Sequence, residues 1–265
     1  MKINSDTNTY RFFFILILAM FAAPAHAVET EIDVRILSRG AKFIGTSMGG
    51  VLITLRDVHT GELLVKGKTH GSTGDTDRIM KQKHARNGTL ATESAAVFHT
   101  TLDLEEPRLI EVKAHGPLAQ QQAANTVSAT QWVVPGKHLT GGNGWLLEMP
   151  GFVVDVLDPP AHQGLSGLPR DIPIAVNVVM MCGCPITPDG LWDADDFEIA
   201  ALVRRNGEPQ STIALEYAGQ TSQFTGTLSV TEPGSYAITV YAYDSATGNT
   251  GLDSTTVNVS PEEEE

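Results

Sequence analysis

Residues 31–37, EIDVRIL, alternate charged and apolar side chains, the two-residue period of a strand with one buried face. A similar pattern returns at 51–57 (VLITLRD) and 63–68. The turn His59-Thr60-Gly61-Glu62 lies between these two runs, so they read as a hairpin. Further strands are expected at 96–104 and 109–114, joined by a polar turn, and at 126–134 and 145–149. Polar or glycine-rich stretches at 45–50, 71–77 and 135–144 read as turns and loops. Beyond Pro150-Gly151, strand-like runs resume at 152–157, 171–181, 197–204, 211–217, 225–230, 234–244 and 254–259. Residues 171–181 alternate little, as expected of a strand buried on both faces or ending at a junction. Helix formers gather only at 118–124 (LAQQQAA), a connection of about two turns, and at 79–83, a single turn. No amphipathic helix of ordinary length is present. The fold class is all-β.

The first residues fall outside this pattern. Lys2 and Arg11 precede an apolar run at 12–23 (FFFILILAMFAA), followed by the small-residue site Ala25-His26-Ala27. This reads as a secretory signal peptide over 1–27, cleaved after Ala27. The rival is an uncleaved anchor, but the run is short of the roughly 20 residues a helix needs to cross a bilayer. No later run is apolar enough to span one, so no membrane span is expected after cleavage. The remaining length suits two domains, one over 28–149 and one over 150–260, each large enough to bury its own core. Residues 261–265 form an acidic tail.

Charge and cysteine content narrow the function. The chain has 18 Lys+Arg against 31 Asp+Glu, a formal charge of −13. Such a surface repels nucleic acid and anionic lipid, and favours divalent cations where carboxylates cluster. Two cysteines in 265 residues exclude a disulfide-stapled small domain. A periplasmic or extracellular location follows from the leader.

Two resemblances sharpen the fold. Gly50-Val51, Ile53, Leu55, Asp57, Thr60-Gly61-Glu62, Leu64, Gly67 and Thr69 together resemble the opening of carboxypeptidase-regulatory-like or transthyretin-like domains. That implies a seven-stranded β-sandwich and no activity. The stretch from Gly234-Ser235-Tyr236 through Tyr241, Tyr243 and Asp244 to Ala246-Thr247-Gly248-Asn249 resembles the last hairpin of bacterial immunoglobulin-like domains. That implies an Ig-like sandwich. The bridge between distant cysteines known from antibody domains is absent. Instead Cys182-Gly183-Cys184 closes the second expected strand of this half.

That segment is chemically unusual. It follows Met180 and Met181 and precedes Trp192 and the acids Asp189, Asp193, Asp195, Asp196 and Glu198. The cysteines can form a local disulfide, with Gly183 supplying backbone freedom, and such a bridge can be structural or redox-active. They can instead offer two thiolates to a soft metal, copper or zinc, with Met180 or Met181 adding a thioether. On a strand the two methionines point to opposite faces, so at most one joins the cysteines and the other packs in a core. Strand alternation would put Asp193 and Asp195 on one face, a candidate calcium site; a solvated loop is the plainer reading. Asp155, Asp158 and Asp244 lie near expected domain ends. Seven histidines follow the leader, none paired at metal-ligand spacing; His99 and His115 lie on expected strands that a sheet could bring together. The glycine-rich run at 71–77 lacks the Lys-Ser/Thr of a phosphate loop. No hydrolase or zinc-protease motif appears.

The sequence therefore describes an exported, non-catalytic binding or scaffold protein with a protein partner in the cell envelope. Its most specific expected task is holding a soft metal such as copper on Cys182 and Cys184. The alternatives are a thiol-redox or metal-dependent enzyme using the same cysteines, and a purely adhesive module.

Overall fold

The computed structural model describes residues 26–261. The apolar leader and the terminal glutamates lie outside the described residues. Among the described residues, sixteen strands are arranged in four sheets.

The first seven strands are β1 (Val28–Ser38), β2 (Leu52–Asp57), β3 (Leu63–Lys68), β4 (Phe98–Leu104), β5 (Arg108–Gly116), β6 (Asn125–Val133) and β7 (Trp145–Met149). They form two sheets ordered β4-β1-β7 and β3-β2-β5-β6. All pairs are antiparallel except β1 with β7. Ile32, Val34 and Ile36 from one sheet face Ile53, Leu55, Ile110, Val112 and Ala114 from the other, all buried. The β2–β3 turn is fixed by Asp57, whose carboxylate accepts from the backbone N–H of His59 and Thr60, each at 2.9 Å. Those bonds, the Thr60 one foremost, hold its carboxyl below the ordinary range. The long connection between β3 and β4 packs Ile79, Ala91, Ala95 and Ala96 around Phe43 from the β1–β2 connection, a small separate core.

The other nine are β8 (Phe152–Asp158), β9 (Gln163–Ser166), β10 (Arg170–Met180), β11 (Phe197–Arg205), β12 (Glu208–Ala214), β13 (Glu216–Tyr217), β14 (Gln223–Val230), β15 (Gly234–Asp244) and β16 (Asn249–Ser260). Their sheets are β13-β14-β10-β8 and β12-β11-β15-β16-β9. Read as D-E-B-A and C′-C-F-G, with β9 added beside G, this is the strand order of an immunoglobulin-type sandwich. Tyr236 near the start of β15 is buried, and its hydroxyl donates to the Glu232 carbonyl at 2.6 Å. That is the tyrosine corner of such folds. Tyr236→Phe should cost about 1 kcal/mol, the net worth of one hydrogen bond; urea denaturation checks it.

Four local expectations differ. The run 118–124 holds only a 3-10 turn at Gln121–Ala123. The helical turn near 79–83 lies at Asp77–Lys81. The expected strand 211–217 is broken at buried Leu215, whose N–H bonds the Ile199 carbonyl while β12 and β13 enter different sheets. Residues 163–166, outside the expected strands, pair in parallel with β16.

Candidate functional site

β10 delivers the sulfur-rich segment to the seam between the two sandwiches. The chain reverses just past Met180: Gly183 N–H donates to the Met180 carbonyl at 2.7 Å, and Met180 N–H to the Cys184 carbonyl at 3.1 Å. Gly183 has φ +76°, the left-handed region that glycine enters without a Cβ clash. Cys182 and Cys184 are joined by a disulfide, with 5.3 Å between their Cα atoms. Both are buried. The returning chain is held by Ser222, whose Oγ accepts from Ile186 N–H and whose own N–H donates to the Ile186 carbonyl.

The two methionines then diverge. Met180 packs in the core of the second sandwich with Cys182, Cys184 and Ile186. Met181 packs in the core of the first, with Met48, Met149 and Val153. In return, Ala41 of the first unit is counted among the buried residues of the second core. A Cβ on Gly183 would lie 2.5 Å from Met48 Sδ, and one on Gly151 3.0 Å from Met181 Sδ. Trp192 closes the far side, its indole N–H donating to the Gly40 carbonyl at 2.9 Å. Each core therefore contains a piece of the other unit.

A second clamp lies where β16 begins. Asn249, 1% exposed, accepts from Gly151 N–H at 2.6 Å and donates to the Gly151 carbonyl at 3.0 Å. Its side chain thus copies one backbone pair of a ladder. Gly251 lets the Phe152 backbone approach, since a Cβ there would meet the Phe152 carbonyl oxygen at 2.4 Å. Asn125 donates to the Pro150 carbonyl at 3.1 Å.

Beside this clamp opens a cleft of about 530 Å³, lined by Gln122 and Asn125 of the first unit, Phe152, and Tyr241, Tyr243 and Leu252 of the second. Tyr241 and Tyr243 share the outer face of β15, and Leu252 stands opposite Tyr241 on β16. The Tyr241 hydroxyl donates to the Glu198 carboxylate. That bond, with burial and the negative charge, pushes the phenol up to about 12. The ring is thereby kept neutral and pinned. Apolar walls with a few amides suit a ligand or peptide that presents an apolar face. The sequence signal was present, two tyrosines two residues apart on a strand, but nothing local marked that face as the one beside the seam.

The other candidate residues are placed as follows. The structure does not bring Met180 and Met181 to one point with the cysteines, and in the disulfide neither sulfur is a thiolate. Asp193 lies at the start of a 3-10 turn, Ala194–Asp196, and its Oδ1 accepts from Asp195 N–H at 3.2 Å. The alternation expected there is replaced by this turn. Among the described residues, no three His, Cys, Asp or Glu side chains converge closely enough to share an ion. His99 and His115 lie on different sheets, correcting their expected approach: His99 pairs with Asp33 at 2.8 Å and His115 with Thr126 at 2.9 Å.

Asp155 on β8 gives a pH-dependent signature. Burial, and then Asp253 beside it, push its carboxyl above the ordinary carboxylate range. Stability from the protonated form is fully present below the unfolded-state value and is lost as pH rises through the raised one. Asp155→Asn should therefore raise the melting temperature near neutral pH and leave it unchanged in acid; thermal scans across pH check this.

No family model matches the sequence, and no curated protein matches it. Among solved structures, the fibronectin(III)-like modules of Clostridium thermocellum CbhA are similar at 10% identity and TM-score 0.31, over 89% of this chain and 98% of theirs. The titin domains Z1Z2 in complex with telethonin give 9% identity and TM-score 0.26, over 90% and 99%. An engineered protein gives 18% identity and TM-score 0.31, over 48% of this chain but only 24% of its own. At such TM-scores the likenesses carry no argument; the sandwich assignment rests on the strand pairing above. Among the described residues, no helix is long and apolar enough to cross a membrane.

Proposed function

We propose that this is an exported, non-catalytic binding or scaffold protein of the cell envelope, in which a locked pair of sandwiches presents the cleft beside the seam to a protein partner. The divergence of Met180 and Met181 into two different cores carries the reading, because it removes the freedom a flexible linker would give. The leader-like N-terminus fits export, and a disulfide fits an oxidising compartment. The Thr60-Gly61 hairpin and the seven strands of the first unit support a transthyretin-like or carboxypeptidase-regulatory-like origin for it. Both units then belong to a class that serves display and recognition.

The decisive experiment is a distance measurement between spin labels on exposed Thr130 and Thr212, one in each unit. A single narrow distribution is expected; a broad one would refute a locked scaffold. Fractionation of cells making the full chain should recover it outside the cytoplasm, beginning at Val28. The same purified sample should show no thiol reactive to a labelling reagent until the protein is both reduced and unfolded, because the bridge is buried. About one copper or zinc per chain, lost in Cys182→Ser/Cys184→Ser, would replace the scaffold reading with metal handling.

A further inference from the structure

The outer face of the β3-β2-β5-β6 sheet is charged against the trend of the whole chain. Cross-strand register places Lys68, Leu52, His115 and Thr126 in one row, and Lys66, Thr54, Lys113 and Ser128 in the next. Arg56, Glu111 and Thr130 follow. Four of the 18 Lys+Arg therefore share one sheet face with a single acid, in a chain of 31 acids. Among the described residues none of the four forms an ion pair; the Arg56 guanidinium donates only to the Gly61 carbonyl.

The arrangement is a trough. Leu52 and Thr54 run along β2, flanked on this face by Lys66 and Lys68 of β3 and by Lys113 and His115 of β5. The two sides stand two strand spacings apart, about 10 Å. A depression of about 310 Å³ lies over β2, β5 and β6, lined by Leu52, Thr54, Arg56, Lys113, His115 and Thr126; Lys66 and Lys68 stand beside it on β3, outside that lining. Like charges gathered on one face repel each other, and an extended anion lying between them relieves that cost. The β6 side continues as hydroxyls, Thr126, Ser128 and Thr130, and ends at Trp132, which is 59% exposed and packs its ring only 5.8 Å from His59. Its partner across β5 is Leu109.

We propose that this face binds an acidic polysaccharide, a linear chain of uronate sugars, with carboxylates on Arg56, Lys66, Lys68 and Lys113, hydroxyls on the threonine and serine row, and a sugar ring against Trp132. An acidic peptide would use the cations but has no need of the hydroxyl row or the exposed indole. A nucleic acid would need aromatic platforms between the cations for its bases, and the residues there are Leu52 and Thr54. The face is separate from the seam and its cleft, so it stands or falls independently of the scaffold reading.

The test uses the whole mature chain, with polygalacturonate as probe, neutral dextran and poly-glutamate as controls, and chelator present throughout. Affinity electrophoresis or calorimetry should show binding to polygalacturonate, none to dextran, and weakening as salt is raised. The double charge reversal Lys66→Glu/Lys113→Glu changes two exposed side chains and should leave the melting curve intact while weakening binding at least about ten-fold. Trp132→Ala should weaken polygalacturonate binding several-fold and leave any poly-glutamate binding unchanged. No binding, or binding indifferent to the charge reversal, overturns the site. Equal binding of both polyanions, with no effect of Trp132→Ala, overturns its assignment to a polysaccharide.

Discussion

Met181→Ala should destabilise the first sandwich by about 2–5 kcal/mol, the range for removing a buried methionine side chain from a packed core. Met181 is fully buried, yet it lies just past the end of β10, a strand of the second sandwich. The cavity would open among Met48, Met149 and Val153. The loss should therefore appear in the unfolding of a unit to which residue 181 contributes no strand. Trp145, buried in the first core, and Trp192, buried in the second, report the two units separately once the other tryptophans are replaced by phenylalanine. In the parent both signals should fall together on denaturation. In Met181→Ala the Trp145 transition should move to lower denaturant, ahead of that of Trp192. Met181→Leu nearly conserves volume and should cost less than about 1.5 kcal/mol. A Trp192 shift with an unmoved Trp145 would show that the methionine serves only its own unit.

Asn249→Ala is expected to cost about 1–3 kcal/mol for each backbone group it leaves unpaired, and it leaves two, Gly151 N–H and Gly151 C=O. Neither has solvent nearby, since Gly151 and Asn249 are both buried. Asn249→Asp separates the two bonds. A carboxylate still accepts from Gly151 N–H, but it sets negative charge against the carbonyl oxygen and supplies no donor. The protonated acid supplies one. The Asn249→Asp protein should thus be markedly weaker than the parent at neutral pH and recover part of the deficit as the solution is acidified through the raised pKa of the new group. Equal deficits at both pH values would mean that the acceptor bond alone matters.

Much of the fold was legible because strands announce themselves locally. The alternation of 31–37, the Thr60-Gly61 turn and the tyrosine of Gly234-Ser235-Tyr236 each encode their own conformation within a few residues. The opposite directions of Met180 and Met181 also follow from strand geometry alone. What those side chains enter does not. Gly40, Ala41 and Met48 sit in turns whose sequences resemble any small-residue connection, and their role depends on segments more than a hundred residues away. The soft-metal reading of 180–184 arose from this gap, because a methionine that plugs a neighbouring core and one that waits for an ion look alike in sequence. The acidic cluster shows the same limit at short range. Alternation places Asp193 and Asp195 side by side only on a strand, and the turn at Ala194–Asp196 removes that premise. The trough was hidden differently: Lys66, Lys68 and Lys113 alternate as ordinary solvent-facing residues, and only register shows that their faces coincide.

The exchange of side chains across the seam also bears on how the polypeptide is made. The ribosome releases residues in order. The seven strands of the first unit are complete at Met149, but its interior lacks Val153 and Met181 until another 32 residues have emerged. Until then it has a hole at the end still joined to the ribosome. A fragment cut at the apparent boundary would keep that hole permanently, so shuffling either half onto another protein would transfer an incomplete core.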